Sequence, residues 1–338
     1  MSPPPPPLFP ARPHRNSPAT TRSRSPRWTI SCLFSFVFGV GLDFKFFAPK
    51  CDAVHLSAAP DHTAPNMTWV YDPNPHGPVM LREFIDARAL HYLINNFDKI
   101  GIAQPHAYDA ALGEDVDCTD EDYVNKVLKP LWLRLMPDAA SGDYYHDVVY
   151  VQKNLERRYP TSVAACSMMR RIRHTLVARW CWDFDIKNCH PTLLVTLCGE
   201  LGIACPTLAA YVRDRANYIK QLCQVLGYSA DDAKKLMLKV INGGQFDEHE
   251  QNHLAALPWL NGFYAEMCVV RKGICEKHPE VVAYSKNALA KKGRSLHNLS
   301  GTVLTYVLSN IENRIIEAVL AYLQKEKHIV HSLCWDGM

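Results

Sequence analysis

The sequence lacks the marks of a zinc-bound, membrane-spanning or strongly charged protein. Its 12 cysteines form no C-x-x-C pair and no Cys/His ligand spacing, which argues against a zinc site and indicates reduced thiols in an intracellular compartment. The formal net charge is only +3, so overall charge alone says little about partners. The apolar run at 29–42, TISCLFSFVFGVGL, is too short to cross a bilayer, and we expect no stable membrane partner.

The composition that remains is that of an ordinary globular protein, with 48% hydrophobic and 21% charged residues. Residues 1–66 are rich in Pro, Arg and Ser and contain the short apolar run, so they are predicted to be a disordered leader. No acid precedes Asp43. The first 42 residues therefore fit a transit or signal peptide, and an upstream exon joined in error explains them equally well. Localisation is left open between nucleus and organelle.

Residues 67–155 are predicted to form a helical N-terminal or accessory region. From Leu81 the pattern LREFIDARALHYLINNF spaces Phe84, Ile85 and Leu90 as in an amphipathic helix. The acidic run at 113–122 lacks the ligand spacing and central Gly of an EF-hand. It is interpreted as a solvated loop that caps the helix beginning VNKVL.

The segment 156–338 carries denser signals. A basic helix, SMMRRIRHTLVARW, leads into a predicted strand, CWDFDI, followed by a helix that ends at Gly202. Two further helices are predicted, over TLAAYVRDRANYIKQLCQVLG and over DDAKKLMLKVIN, the second with an N-cap at Ser229. A continuous apolar stripe predicts a long helix at about 301–326, which leads into a predicted strand, IVHSLCW.

Acids and lysines of this segment stand in an order that suggests metal-dependent phosphoryl chemistry. Asp185 ends one predicted strand and Asp336 ends another, while Lys234 and Lys235 lie on a helix that closes with Asn-Gly-Gly. Mg²⁺ takes one or two carboxylates and leaves room for phosphates, and two such ions clamp an in-line displacement. A helix Lys supplies charge to a triphosphate.

These motifs resemble those of the transposon- and virus-type polymerase family, related to family A DNA polymerases and single-subunit phage-type RNA polymerases. DFDIKNCHP is similar to the first catalytic motif, KKLMLKVINGG to the fingers-helix motif and HSLCWDGM to the last motif. The resemblance implies metal ligation by Asp185 and Asp336 and triphosphate neutralisation by Lys235. It further implies six substrate-facing positions: His190, Lys234, Asn242, Gly243, Arg170 and Arg173.

The resemblance also implies a fold, an activity and partners. The fold is α/β (α+β), a small antiparallel palm sheet in 156–338 with a helical fingers insertion at about 206–300. The activity is template-directed nucleotidyl transfer with two Mg²⁺ ions, acting on a primer–template and nucleoside triphosphates. Helicase or primase domains are expected in a longer version. Because the chain stops two residues after Asp336, we expect the palm to be C-terminally incomplete.

Other interpretations remain open at this stage. Asp183 and Asp185 share a face of a strand, as in the D-x-D motif of a metal-dependent glycosyltransferase. A non-catalytic, nucleic-acid-binding remnant that uses the basic helix is a further alternative. His190 and Pro191 also fit a purely structural role at the first turn of the helix that follows. Lys234 and Lys235 fit a solvated helix face, and Arg170, Arg171 and Arg173 cannot all face one way.

Overall fold

The structure is a computed structural model that describes residues 44–47, 54–56, 77–102, 105–109, 114–152, 155, 157–181 and 183–334. It is rich in helix and contains small antiparallel sheets, which confirms the predicted α+β class. Asp336 and the apolar run at 29–42 lie outside the described residues, so the predictions made for them are not addressed by the structure.

The nine described strands form three antiparallel sheets. Their bounds are β1 Phe44–Phe47, β2 Val54–Leu56, β3 Val79–Ile85, β4 His106–Asp109, β5 Glu114–Asp117, β6 Met136–Pro137, β7 Tyr144–Gln152, β8 Arg158–Pro160 and β9 Asp183–Ile186. The strand orders are β2-β1-β9 and β3-β7-β6, with β8 also on β7, and β4 pairs with β5. Two of the strands, β1 and β2, therefore lie within the 1–66 segment.

Twelve α-helices are described. Their bounds are α1 Ala87–Asn96, α2 Asp120–Tyr123, α3 Lys129–Arg134, α4 Arg170–Val177, α5 Cys189–Leu201, α6 Pro206–Arg213, α7 Arg215–Leu226, α8 Ala230–Ile241, α9 Glu248–His253, α10 Pro258–Lys277, α11 Pro279–Lys291 and α12 Leu299–Lys325. A π-helical turn, Val124–Leu128, joins α2 to α3, and single 3₁₀ turns occur at Phe97–Lys99, Ala165–Ser167 and Leu254–Ala256.

The helix predicted from Leu81 begins later than expected. Residues 79–85 form β3, in which Leu81, Glu83 and Ile85 are buried in strict alternation with more exposed neighbours. The helix begins only after Asp86, whose carboxylate accepts hydrogen bonds from the N–H groups of Arg88 and Ala89. The prediction was wrong for Phe84 and Ile85, because a polar Glu occupies one of the buried strand positions and hides the two-residue period.

The acidic run is more ordered than the predicted loop. Residues Glu114–Asp117 form β5 and pair with β4, whereas the capping role is confirmed at Thr119, whose hydroxyl oxygen accepts the N–H of Asp122. Farther on, the single helix predicted over TLAAYVRDRANYIKQLCQVLG is two helices, α6 and α7, with a break at Asp214.

The other helix predictions in the second half are confirmed. Helix α5 ends at Gly202 in the left-handed conformation, and Ser229 caps α8 by accepting the N–H of Asp232. Helix α12 covers the predicted apolar stripe and is buried along almost its whole length. None of the helices in the described part is both long enough and apolar enough to cross a membrane.

The core has two parts. The larger cluster surrounds α12 and includes α5 to α8, α10 and the buried face of the β3–β7 sheet, while the smaller one lies under β3 with α1, α3 and α4. The ten described cysteines are free thiols.

The strand predicted at IVHSLCW was wrong for its described residues, which form only an isolated bridge at Cys334. Side chains rather than a backbone ladder attach this segment to the sheet: Nδ1 of His331 donates to the Arg82 carbonyl at 3.0 Å, and Ser332 Oγ lies 2.9 Å from Tyr150 Oη.

Candidate functional site

The turn from β9 into α5 positions the residues of the first predicted motif. Asp185 is half-buried and lies opposite Lys45 in the β1–β9 register. Asn188 follows with φ 56°, a left-handed conformation that Asn adopts more readily than most residues. His190 then falls in the first turn of α5, where the following Pro191 lacks only an N–H that the helix does not use. The local sequence thus dictates a sharp turn that presents His190 beside the end of β9.

His190 belongs to a charged cluster with Arg157 and Glu312. The Arg157 guanidinium donates to Glu312 Oε2 through Nε at 2.9 Å and through Nη2 at 2.6 Å. His190 Nε2 lies 2.8 Å from the same oxygen. The Glu312 side chain is completely buried, whereas Arg157 keeps 25% and His190 16% of its side-chain exposure. The cluster therefore connects the chain before β8, the start of α5 and the middle of α12.

The protonation of the cluster follows from its geometry. Burial acts to raise the pKa of Glu312, but the hydrogen bond from His190 and the charges of Arg157 and His190 outweigh it, and the pKa lies below its usual value. Because an ionised carboxylate only accepts, Nε2 of His190 carries the hydrogen and donates it to Oε2. The 3.1 Å approach of Arg157 Nη2 to that nitrogen is then a contact between two donors.

Two polar atoms of this region are buried without a hydrogen-bond partner in the described structure. They are the second carboxylate oxygen of Glu312, Oε1, and the side-chain nitrogen of Asn188. A buried atom of this kind has a desolvation cost that a hydrogen bond would offset. The cluster can therefore take up one more donor, such as a water molecule, beside the ion pair.

The predicted two-Mg²⁺ site stays a prediction. Asp336 and the side chain of Asp183 lie outside the described residues, and the described part of the chain brings together no group of three or more His, Cys, Asp or Glu side chains suited to a metal. Of the proposed ligands, only Asp185 can be placed, at the end of β9.

Lys234 and Lys235 lie on the exposed first half of α8. Lys234 Nζ is 2.8 Å from Asp231, and Lys235 Nζ is 3.3 Å from Asp232. Their side chains are 43% and 78% exposed. Among the described residues, neither lysine forms a hydrogen bond or ion pair with the β9–α5 turn, and both have the surroundings expected of a solvated helix face.

Asn242 and Gly243 close α8 and dock it onto the start of α12. The Asn242 carbonyl accepts a hydrogen bond from Asn298 Nδ2 at 2.8 Å, and buried Arg271 donates to the carbonyls of Val240 and Ile241. Gly243 has φ 84°, and a Cβ there would collide with the Asn298 side chain. This turn thus has a packing role that accounts for its Asn-Gly sequence.

The basic helix predicted before β9 is α4. Its buried residues are Ile172 and Leu176, while Arg170 and Arg171 are exposed and Arg173 is half-buried. The three arginines therefore differ in exposure, while the expectation that they cannot share one face stays a prediction. Arg170 and Arg171 form the more accessible basic surface.

Two cluster residues, Arg157 and Glu312, escaped the sequence analysis. Glu312 lies four residues from Leu308 and from Ile316, in the middle of the apolar stripe that predicted α12. An acid at a core position is almost never fully buried unless it is paired, so this signal was present. Arg157 had no such signal, because it lies outside the periodic segments.

Comparison with known proteins gives one distant likeness. The chain is 27% identical over 161 residues to the "Putative helicase V13" of the Sputnik virophage, which covers 46% of this chain and 20% of that protein. The chain thus spans about a fifth of its relative's length. No family model and no solved structure matches.

This finding corrects the functional prediction. Template-directed nucleotidyl transfer was wrong, because the matched relative is named a putative helicase rather than a polymerase. The name of this relative also gives no support to the alternative interpretation as a D-x-D glycosyltransferase. The family resemblance itself was not tested by these comparisons and stays a prediction.

Proposed function

We propose that this chain is a nucleic-acid-binding part of a helicase-type enzyme. The observation that carries the proposal is the likeness to a protein named a putative helicase, of which the chain spans about a fifth. The chain contains no Gly-Lys pair, and so no P-loop signature with which to bind a nucleoside triphosphate. The activity proposed for these residues is accordingly strand binding, without an ATP-driven step.

The exposed arginines of α4 supply the phosphate contacts in this proposal. Arg170 and Arg171 stand at its first turn, and the apolar side of the helix is fixed against the smaller core cluster by Ile172 and Leu176. A guanidinium on a rigid helix binds phosphate oxygens in two-pronged geometry at a small entropic cost. Such contacts hold a strand without reading its sequence.

The experiment is a salt series of binding with the full-length chain, measured by fluorescence anisotropy with labelled single-stranded and duplex oligonucleotides. We expect the logarithm of the affinity to fall linearly with the logarithm of salt concentration between about 50 and 200 mM. The double change Arg170→Gln/Arg171→Gln should weaken binding and reduce the slope by about one for each lost phosphate contact.

The control is Lys272→Gln, which removes a cation of 80% side-chain exposure from α10. It should leave both affinity and slope unchanged. Absence of binding to either strand form at about 50 mM salt, where phosphate contacts are strong, would refute the proposal. Equal effects of the α4 double change and Lys272→Gln would refute the assignment to α4.

A further inference from the structure

The outer face of the β3–β7 sheet carries a cluster of ring side chains centred on Phe84. Phe84 pairs with Tyr145 across the two strands, with ring centroids 5.9 Å apart. Trp180 lies 6.1 Å from Phe84 at an angle of 31°, and His331 meets Phe84 edge-on at 5.5 Å. All four rings are half-buried. We call these four residues the ring cluster.

The sheet face around the ring cluster is open, whereas its other face is filled. Met80 and Arg82 continue the outer face along β3, with Met80 68% exposed and the Arg82 side chain 47% exposed. The alternate residues of both strands, Leu81, Glu83, Ile85, His146, Val148 and Tyr150, are buried. Guanidinium groups lie over two of the rings, that of Arg82 over Tyr145 and that of Arg179 over Trp180, the latter 5.2 Å from the ring centroid.

The rings are held in place by groups at their edges. Trp180 Nε1 donates to Asp143 at 3.2 Å, and His331 Nδ1 donates to the Arg82 carbonyl at 3.0 Å. The Arg82 guanidinium lies 3.8 Å from the centroid of the Tyr145 ring and donates to Asp147 at 3.0 and 3.3 Å. Rings that are already oriented lose little conformational entropy when a flat ligand stacks on them.

The charges around the ring cluster favour an anionic ligand. Arg171 and Thr175, four residues apart, lie on the exposed side of α4, and Arg179 follows just beyond the helix with 64% side-chain exposure. Of the acids, Asp143 and Asp147 are each paired with an arginine. Five arginines, at 82, 170, 171, 173 and 179, compare with four aspartates, at 86, 138, 143 and 147. Asp86 is included because its N–H donates to the Leu176 carbonyl of α4.

From this arrangement we infer that the ring cluster binds single-stranded nucleic acid by stacking unpaired bases, while α4 contacts the phosphates. Half-exposed rings flanked by guanidinium groups form the kind of surface that holds single strands without sequence preference. A duplex keeps its base faces inside the stack and offers the rings nothing to stack on. The inference rests on the proposed function and specifies its ligand class as an unpaired strand.

The test measures binding of the full-length chain to a labelled thymidine oligonucleotide and to a duplex of equal length. We expect Trp180→Ala and Tyr145→Ala each to weaken single-strand binding about 5- to 150-fold, the value of one lost base stack. Duplex binding should not change. Trp180→Phe, which keeps a ring, should retain most of the affinity. Tyr92→Ala removes a 62% exposed ring from α1 and should have no effect.

A photochemical measurement on the unaltered chain guards against variants that fail to fold. An oligonucleotide carrying 5-iodouracil should crosslink to peptides that contain ring-cluster residues. Crosslinks confined to other peptides, or alanine variants that bind single strands as tightly as the unaltered chain, would overturn the inference while the proposed function stands. Absence of binding to both strand forms would overturn the two together.

Discussion

Three glutamates are buried in the described part of the chain, and two of them, Glu312 and Glu83, have different kinds of partner. Glu312 in α12 is ion-paired with Arg157 and accepts a hydrogen bond from His190. Glu83 in β3 accepts hydrogen bonds from Tyr150 Oη at 2.6 Å and from the Ala165 N–H at 2.7 Å, and its Oε2 lies 3.2 Å from Nε2 of buried His146. No arginine or lysine is among the described partners of Glu83. One carboxylate is therefore balanced by a formal charge and the other mainly by neutral donors.

The difference also concerns which parts of the chain are connected. The Glu312 cluster joins residues 155 and 122 positions apart and reaches the surface through Arg157. The Glu83 network joins β3, β7 and the turn at Ala165 to Ser332, which lies 182 positions beyond Tyr150. Because Tyr150 donates its only hydrogen to Glu83, it accepts one from Ser332. The charged cluster thus connects helices to the β9–α5 turn, whereas the neutral network attaches the segment after α12 to the β3–β7 sheet.

The largest expected effect comes from removing the charged acid. Glu312→Ala leaves the Arg157 guanidinium and a His190 donor facing an apolar core, and loss of one partner of a buried ion pair costs about 3–5 kcal/mol. We expect a loss at the lower end of this range, because the Arg157 side chain is 25% exposed and water can partly solvate its charge. Urea denaturation followed by circular dichroism measures the free energy of unfolding.

The control for this change replaces both charges. Arg157→Met together with Glu312→Met removes both partners of the ion pair and leaves only the His190 donor without its acceptor. It should recover much of the lost stability, since apolar replacements of buried ion pairs are often close to neutral. A loss below about 1 kcal/mol for Glu312→Ala alone, the size of an average substitution, would show that the cluster is not the connection described above.

Sequence patterns predicted the elements whose burial follows one clear period. Helix α12 was predicted from its apolar stripe, and α8 was predicted together with its Ser229 cap and its end at Gly243. The strand β3 was missed because Glu83, a buried polar residue, interrupts the apolar alternation. Glu312 is likewise a buried acid, but it lies within a helix whose other apolar positions still show one clear period.

Only those residues of the candidate site that lie close together in the sequence could be predicted. His190 follows Asp185 by five residues, so the sequence alone places both at the β9–α5 turn, while the roles predicted for them stay predictions. Glu312, the partner of His190, lies 122 residues beyond it. That pairing depends on how α5 and α12 pack, which periodicity within either helix does not specify.

A smaller effect is expected from the neutral network. Tyr150→Phe removes the hydroxyl that donates to Glu83 and accepts from Ser332, and a buried acceptor left without its donor costs about 1–3 kcal/mol. The same urea measurement applies. Tyr92→Phe, at a ring 62% exposed, should change the unfolding free energy by less than about 0.5 kcal/mol. Equal effects of the two changes would remove the distinction between Tyr150 and a surface tyrosine.

The smallest expected effects are changes in how stability depends on pH. Glu312 should lower stability as pH falls, and Tyr150 should lower it as pH rises. The pKa of Glu312 is lowered in the folded state, so its contribution to stability is present above the unfolded value of about 4.3 and is lost as pH falls through the folded pKa. Glu312→Gln has no group to titrate and should flatten the acid limb of a stability–pH curve.

Tyr150 should act on the alkaline limb. Burial, followed by the charge of Glu83, raises its pKa well above 10 in the folded protein. Above pH 10 the unfolded chain therefore loses the tyrosine proton while the folded chain keeps it, and stability falls as pH rises towards the folded pKa. Tyr150→Phe should reduce this slope and leave the acid limb unchanged. If Glu312→Gln altered the alkaline limb as well, the two carboxylates would belong to one coupled network, and the contrast between a charged and a neutral site would not hold.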